Sequence, residues 1–274
     1  MEPTGVYYER LAYHLHKIGQ TVYVVLPNKA RKFCESEGIK TKTDAMDARC
    51  LALMGCVSRK LKPWSPPAAI YRELRQMTRF HADLCQVRAS VANRMEALDH
   101  MEGTAKSVHK NCEKLLQEID TLMEKNGKAI MKKVAEDKEL EAKVKRIATV
   151  KGLREPTIVC VIAETEGFHY IENRKQLVGY AGLDVKAEQS GNEDPKHRIS
   201  KKGNANIRTA LYMPALVAVR YNRQIKAAYG RICQKHPNEK MIGVTAAMRR
   251  LLLLIYTLWK NGEEYDETRG TMPL

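Results

Sequence analysis

Aromatic side chains are scarce in this sequence: they make up 6% of 274 residues, with Phe 3 and Trp 2. Platforms that stack single-stranded bases rely on clusters of aromatics, so recognition by charge and shape is the expectation. The cysteines at 34, 50, 56, 85, 112, 160 and 233 form no CxxC pair, and their number is odd. That suggests neither a zinc knuckle nor a disulfide framework, and the cysteines read as small buried residues in a reducing cytoplasm. The longest apolar run, LLLLIYTLW at 251–259, is far short of the roughly 20 residues of a membrane span. No secretory pattern precedes Glu2, so a cytoplasmic protein without a membrane partner is expected. Proline is absent from 70–148, where the only glycines are Gly103 and Gly127.

Positive charge is what the chain has in excess. Lys+Arg 47 against Asp+Glu 32 gives a formal charge of +15, which concentrates polyanions and makes their binding salt-dependent. Nucleic acid is the leading partner, and solvated lysine faces are the ordinary alternative.

Along the chain, Val6, Leu11, Leu15 and Ile18 recur at helical spacing behind Thr4 as N-cap, with Gly19 as the stop. TVYVVL at 21–26 is β-branched and apolar, the pattern of a short buried strand. PNKARKFCESEG then has proline at a helix start and glycine at its end. Helix, strand and helix in succession predict a piece of an α/β sheet. A helix is expected from Asp44 through AMDARCLALMGC, and the prolines of KPWSPPAA at 62–69 mark a boundary. Residues 70–148 carry apolar positions such as Leu115, Ile119 and Leu122 amid mixed charge, which predicts a helical arm or antiparallel coiled pair. A third unit begins near 147. It contains a glycine turn and buried helix in KGLREPTIVCVIAE, a short helix in RKQLVGYAGL, a helix resuming at Asn204 and an apolar helix near 239–260.

Two constellations can carry chemistry. Asp44 and Asp47 stand three apart, which on a helix separates their Cβ atoms by roughly 5–6 Å, close enough to share a hard divalent cation. Carboxylates near a helix N-terminus also serve the macrodipole alone. Glu2, just before a Pro-Thr-Gly turn, stands where a strand's C-terminal end presents a carboxylate in an open sheet, and three such groups can hold metal ions that act on a phosphodiester. The second is Gln189-Ser190-Gly191, followed by Lys196, His197, Arg198, Lys201 and Lys202. Glycine lets a backbone approach a phosphate, and a serine hydroxyl surrounded by cations can attack one. The ordinary account is an ST-turn in a basic loop. Ser200 competes with Ser190 for the role of nucleophile, or caps the turn that leads into the helix at Asn204.

In order and spacing, MEPTGVYY, KTKTDAMDA, RKQLVGYAGL, EQSG and HRISKKGNANIRTALY resemble the insertion-sequence transposases that join a RuvC-like DEDD domain to a serine-bearing C-terminal domain. This is a family of RNA-guided bridge recombinases. The resemblance spans nearly the whole chain. It implies an α/β N-terminal remnant of an RNase H/RuvC-like fold over 1–61, a helical or coiled-coil linker over 62–148, a mainly α serine-bearing domain over 149–262 and a tail over 263–274. It implies Glu2, Asp44 and Asp47 as Mg2+ ligands and Ser190 as the nucleophile that displaces a 3′ hydroxyl to form a 5′-phosphoserine. Lys196, Arg198, Lys201, Lys202 and Arg208 are then the nucleic-acid contacts. The implied partners are DNA, a guide (bridge) RNA and further copies of the chain in a homodimer or tetramer.

The sequence departs from that pattern twice. The family's first aspartate precedes the glutamate on an initial strand, and here Glu2 follows Met1 directly. The expectation is an N-terminally truncated copy with impaired chemistry. The other departure is KGLR at 151–154, where one glycine, Gly152, replaces a glycine-x-glycine turn, although Lys151 and Arg154 remain able to meet a phosphate. Two competing functions follow: a catalytically inactive nucleic-acid-binding remnant, and a junction-resolving nuclease that uses carboxylates and metal without the serine.

Overall fold

The structure, a computed structural model, describes residues 1–3, 5–39, 43–58, 61–186 and 198–267. The chain divides into two compact units, Met1–Pro67 and Ala68–Leu274.

The first unit contains α1 (Glu9–Lys17), α2 (Pro27–Ser36) and α3 (Asp44–Val57). The α/β remnant expected over 1–61 is not present, since all regular structure among this unit's described residues is helical. TVYVVL is the element that differs. Val25 N–H donates to Met1 O at 2.9 Å, the Met1 ammonium donates to Tyr23 O at 2.7 Å, and Trp64 N–H donates to Val22 O at 2.7 Å. These single bonds hold the segment, but a strand requires a repeating ladder with a neighbour, and none is formed. Helix α1 starts at Glu9 behind Tyr8, which makes no side-chain cap, and the Thr4 expected as cap lies outside the described residues. Val6, Leu11 and Ile18 are accordingly exposed, and Ala12 is the buried residue of α1.

Val25, Ala30 and Met54 form a small core here, with Phe33, Leu51 and Leu61 against it. An apolar cleft of about 230 Å³ lies beside it, lined by Leu15, Val22, Val25 and Leu51 among others. Cys34 and Cys50 form a disulfide across α2 and α3, with Cα atoms 5.9 Å apart. This corrects the expectation of seven reduced, buried cysteines, as does the exposure of Cys56 and Cys85. A separation of 16 residues leaves no sequence signature, because packing alone brings the two helices together.

The second unit begins with two long helices, α4 (Ala69–Asp99) and α5 (Lys106–Ala135). Their pairing is antiparallel: Glu73 meets Lys133 at 2.7 Å, Asn126 donates to Met77 O at 3.0 Å, and Arg88 meets Asp120 at 2.6 Å. Next come α6 (Lys138–Ile147), α7 (Glu155–Glu164), α8 (Arg174–Ala181), the two-residue strands β1 (Val185–Lys186) and β2 (Arg198–Ile199), then α9 (Ala205–Tyr221), α10 (Arg223–Lys235) and α11 (Lys240–Asn261). Helix α11 packs against α6, α8, α9 and α10, and Leu251, Leu252 and Ile255 are fully buried. At 22 residues it is long and apolar enough to cross a membrane by length and composition, more than the nine-residue apolar run implied. Its burial in the core accounts for that composition equally well.

Candidate functional site

In the first unit the carboxylate pair sits on the opening turns of α3. Thr43 caps this helix by accepting from Met46 N–H at 3.3 Å, and Asp47 N–H donates to Thr43 O at 2.9 Å. The cap fixes the helix start, so Asp44 is exposed in the first turn and Asp47 half-buried one turn on; Glu2 is half-buried. Among the described residues no group of three or more His, Cys, Asp or Glu side chains is arranged to hold a metal ion. Glu2, Asp44 and Asp47 therefore do not form a three-carboxylate set. Asp44 and Asp47 remain as a pair, and Mg2+ is commonly held by one or two carboxylates together with substrate phosphates.

In the second unit the base of the serine-bearing segment is built in detail. Strands β1 and β2 pair antiparallel, with Val185 opposite Ile199 and Lys186 opposite Arg198. The intervening residues 187–197, with Ser190 and Lys196, lie outside the described residues. Ser200 Oγ donates to Asp184 Oδ1 and accepts from Lys202 N–H, and Ser200 N–H donates to Asp184 O at 2.8 Å. The Ser200 hydroxyl thus closes the turn, whereas Asn204 caps α9 by accepting from Ile207 N–H at 3.2 Å.

Lys201 and Lys202 are exposed on this turn, and Lys201 adopts a left-handed φ of 49° that β-carbons disfavour. Gly203 follows them where a Cβ would run into Tyr180 O and the Gly182 nitrogen, so only glycine lets the turn pass so close to the end of α8. Arg208 Nη1 donates to Ala181 O at 2.8 Å, Gly203 O at 3.2 Å and Asn204 O at 3.3 Å. That guanidinium ties the turn to α8.

Beneath the turn lies a polar network that the sequence did not disclose. Glu164, at the end of the apolar helix α7, is 1% exposed. Arg79 of α4 grips it through Nε at 2.7 Å and Nη2 at 2.8 Å. Asn204 Nδ2 donates to Glu164 Oε2 at 2.6 Å and Asn206 Nδ2 to Oε1 at 3.0 Å. Tyr180 O–H donates to Glu164 O at 2.8 Å. Burial works against ionising this carboxyl, but the hydrogen bonds from Arg79 and Asn204 and the charges of Arg79 and Arg75 outweigh it and hold the group below the usual carboxylate range. A buried charge is tolerated only when paired and hydrogen-bonded, and here α4, α7, α8 and the start of α9 all join through one residue.

Next to it the backbone runs left-handed at Glu166, Gly167 and Phe168 in succession. Arg75 holds that turn by donating to Glu166 Oε1 at 2.7 Å and to Ala163 O at 3.2 Å, while Phe168 is fully buried. Two readable signals pointed toward this network: an acid at the end of an otherwise apolar helix, and paired asparagines after a glycine.

Comparison with known proteins bears on what such an arrangement is for. Residues 144–230 match the family model described as Transposase IS116/IS110/IS902 family. Residues 1–103 match a second, described as Transposase, of the DEDD type in IS110. Two models for domains of IS110-family transposases thus match this chain in order, over residues 1–103 and 144–230. It is also similar to the pilin gene-inverting protein of Moraxella bovis, 27% identical over 288 residues covering 97% of this chain and 81% of that protein. The pilin gene-inverting protein of Moraxella lacunata is 28% identical over 291 residues, again covering 97% and 81%. The transposase matches imply DNA binding; Glu164, Tyr180, Asn204 and Asn206, the Gly203 turn and the strands β1 and β2 fall inside the IS116/IS110/IS902 match, whereas Arg75 and Arg79 fall inside the match over residues 1–103.

Proposed function

We propose that this chain is a DNA recombinase that exchanges strands through Ser190. What carries the reading is the pair of IS110 transposase matches, in order along the chain, together with the turn at Ser200–Gly203 that the Glu164 network and Arg208 tie to α8. In the proposed step the Ser190 oxygen bonds to phosphorus, the bond to the 3′ oxygen breaks, the serine proton leaves and a proton is taken up by the departing 3′ hydroxyl. The resulting 5′-phosphoserine keeps the phosphate ester, so a second 3′ hydroxyl can reverse the step on another strand without an external energy source. Between inverted sites this exchange flips the intervening DNA, the outcome that the Moraxella relatives are named for.

Asp44 and Asp47 are the residues we assign to hold Mg2+ in the assembled complex. A bound divalent cation there offsets phosphate charge. Lys201 and Lys202 sit beside the serine segment to contact backbone phosphates. A guide RNA, in keeping with the charge of +15 and the shortage of aromatics, assembly as a homodimer or tetramer, and a cytoplasmic location complete the proposal.

A second reading, a nucleic-acid-binding chain without chemistry, is favoured by the failure of Glu2, Asp44 and Asp47 to gather into a ligand set. Supplying the full chain to cells with a plasmid bearing the element's two ends and its non-coding flanks, then sequencing new junctions, separates the two. The first predicts junctions that vanish in Ser190→Ala and Asp44→Asn. Salt-sensitive DNA binding without junctions supports the second.

A further inference from the structure

The acidic stretch GEEYDE at 262–267 stands out in a chain of net charge +15, and it folds back onto the turn before α7 and the start of α10. Glu267 is 116 residues from Lys151 in sequence, yet its Oε2 accepts from Lys151 Nζ at 2.7 Å. Its other oxygen, Oε1, accepts from Arg223 N–H at 2.8 Å. Arg223 is the first residue of the 13-residue helix α10, whose opening N–H groups have no partner within the helix and carry the positive end of its dipole. Each oxygen of one anion therefore meets its own donor, as two oxygens of a phosphate do at a helix start.

The segment that delivers this carboxylate is anchored apart from it. The Tyr265 phenolic Oη accepts from Asn222 Nδ2 at 2.9 Å and Tyr265 packs on the core, while Gln224 Nε2 donates to the Glu267 backbone oxygen at 2.9 Å. Burial, and then the nearby charge of Arg231, disfavour the charged form of Arg250, which also feels Tyr265. Lys151 belongs to a turn whose Gly152 has φ 102° and packs directly on Ala218 of α9, and Lys151 O accepts from Nδ2 of Asn222, the residue before α10, at 3.5 Å.

We propose that Lys151 and the start of α10 form a binding site for a backbone phosphate of nucleic acid, and that Glu267 is a resident competitor which that phosphate must displace. This rests on the reading of the chain as a nucleic-acid-acting protein, and it gives the C-terminal acidic stretch a function: it weakens indiscriminate binding and yields the site to a polyanion that arrives with enough further contacts.

The test measures binding of the full chain to a labelled DNA duplex and to a labelled structured RNA across a salt series. Removing the charge in Glu267→Gln leaves the Tyr265 anchor and the Gln224 bond to backbone in place. Glu267→Ala is the second variant, and a melting curve of each confirms folding. Both variants are expected to bind one or both nucleic acids up to about fivefold more tightly, the scale of releasing a partly exposed ion pair. The salt slope for duplex should steepen by about 0.9, the value for one added phosphate contact. The nucleic acid that gains identifies the phosphate's source. Lys151→Gln in the Glu267→Gln background should abolish both gains. Wild-type binding with no change in either variant, or a gain that survives Lys151→Gln, overturns the proposal alone. Salt-independent binding or none by every variant overturns it together with the nucleic-acid reading.

Discussion

Arg79 and Glu164 form a two-point ion pair, 2.7 and 2.8 Å, that joins the long helix α4 to the end of α7 directly beneath the turn from which the serine-bearing segment departs. Glu164 is buried, whereas the Arg79 side chain is 47% exposed. Removing one partner of a fully buried pair costs about 3–5 kcal/mol, and the exposure of Arg79 reduces this through solvent screening. Arg79→Ala is therefore expected to destabilise the second unit by about 2 kcal/mol, a melting shift of roughly 4–8 °C. Calorimetry checks this, and an unchanged melting temperature would mean that Asn204 and Asn206 suffice to hold Glu164.

The same carboxyl sets an acid limit. Its pKa in the folded chain lies below the usual 4.5, so the stabilisation is fully present above pH 4.5 and is lost as pH falls through the lower folded value. Acid unfolding monitored by circular dichroism should show Glu164→Gln less stable than wild type near neutrality, with the difference shrinking as pH drops below 4.5. A gap that widens toward low pH would contradict the assignment.

How much of this was legible in the sequence depends on the range of the interaction. Helices α2, α3, α9 and α11 begin close to where proline, aspartate, asparagine and apolar periodicity predict, because capping and amphipathic spacing are local. The proline-free stretch likewise forms the paired helices α4 and α5. TVYVVL has the composition of a strand but no ladder partner, and composition alone cannot supply one. Glu164 went unnoticed because its arginine is 85 residues away, and the Cys34–Cys50 pair for the same reason of distance in sequence. Arg208, read as a phosphate contact, makes three backbone bonds that no motif reveals.

Thiol labelling probes the cysteines individually. Burial, followed by the nearby Glu164 charge, pushes the Cys160 thiol up to about 12, and only thiolates react readily. Alkylation of the native chain near pH 8 should modify exposed Cys56 first and leave Cys160 intact. Cys34 and Cys50 should become reactive only after reduction of their disulfide. Mass spectrometry of the digested protein reads all of these sites, and prompt labelling of Cys160 would show that the α7 end is more open than described.

The central claim is that the hydroxyl of Ser190 attacks DNA. Its most direct measurement is a denaturing gel of end-labelled donor DNA incubated with the full chain, its RNA and Mg2+. The expected result is a protein–DNA adduct resistant to denaturant, carrying phosphate on serine, present in wild type and Ser200→Ala and absent in Ser190→Ala. An adduct that persists in Ser190→Ala, or strand cleavage by that variant with no covalent species, contradicts the account.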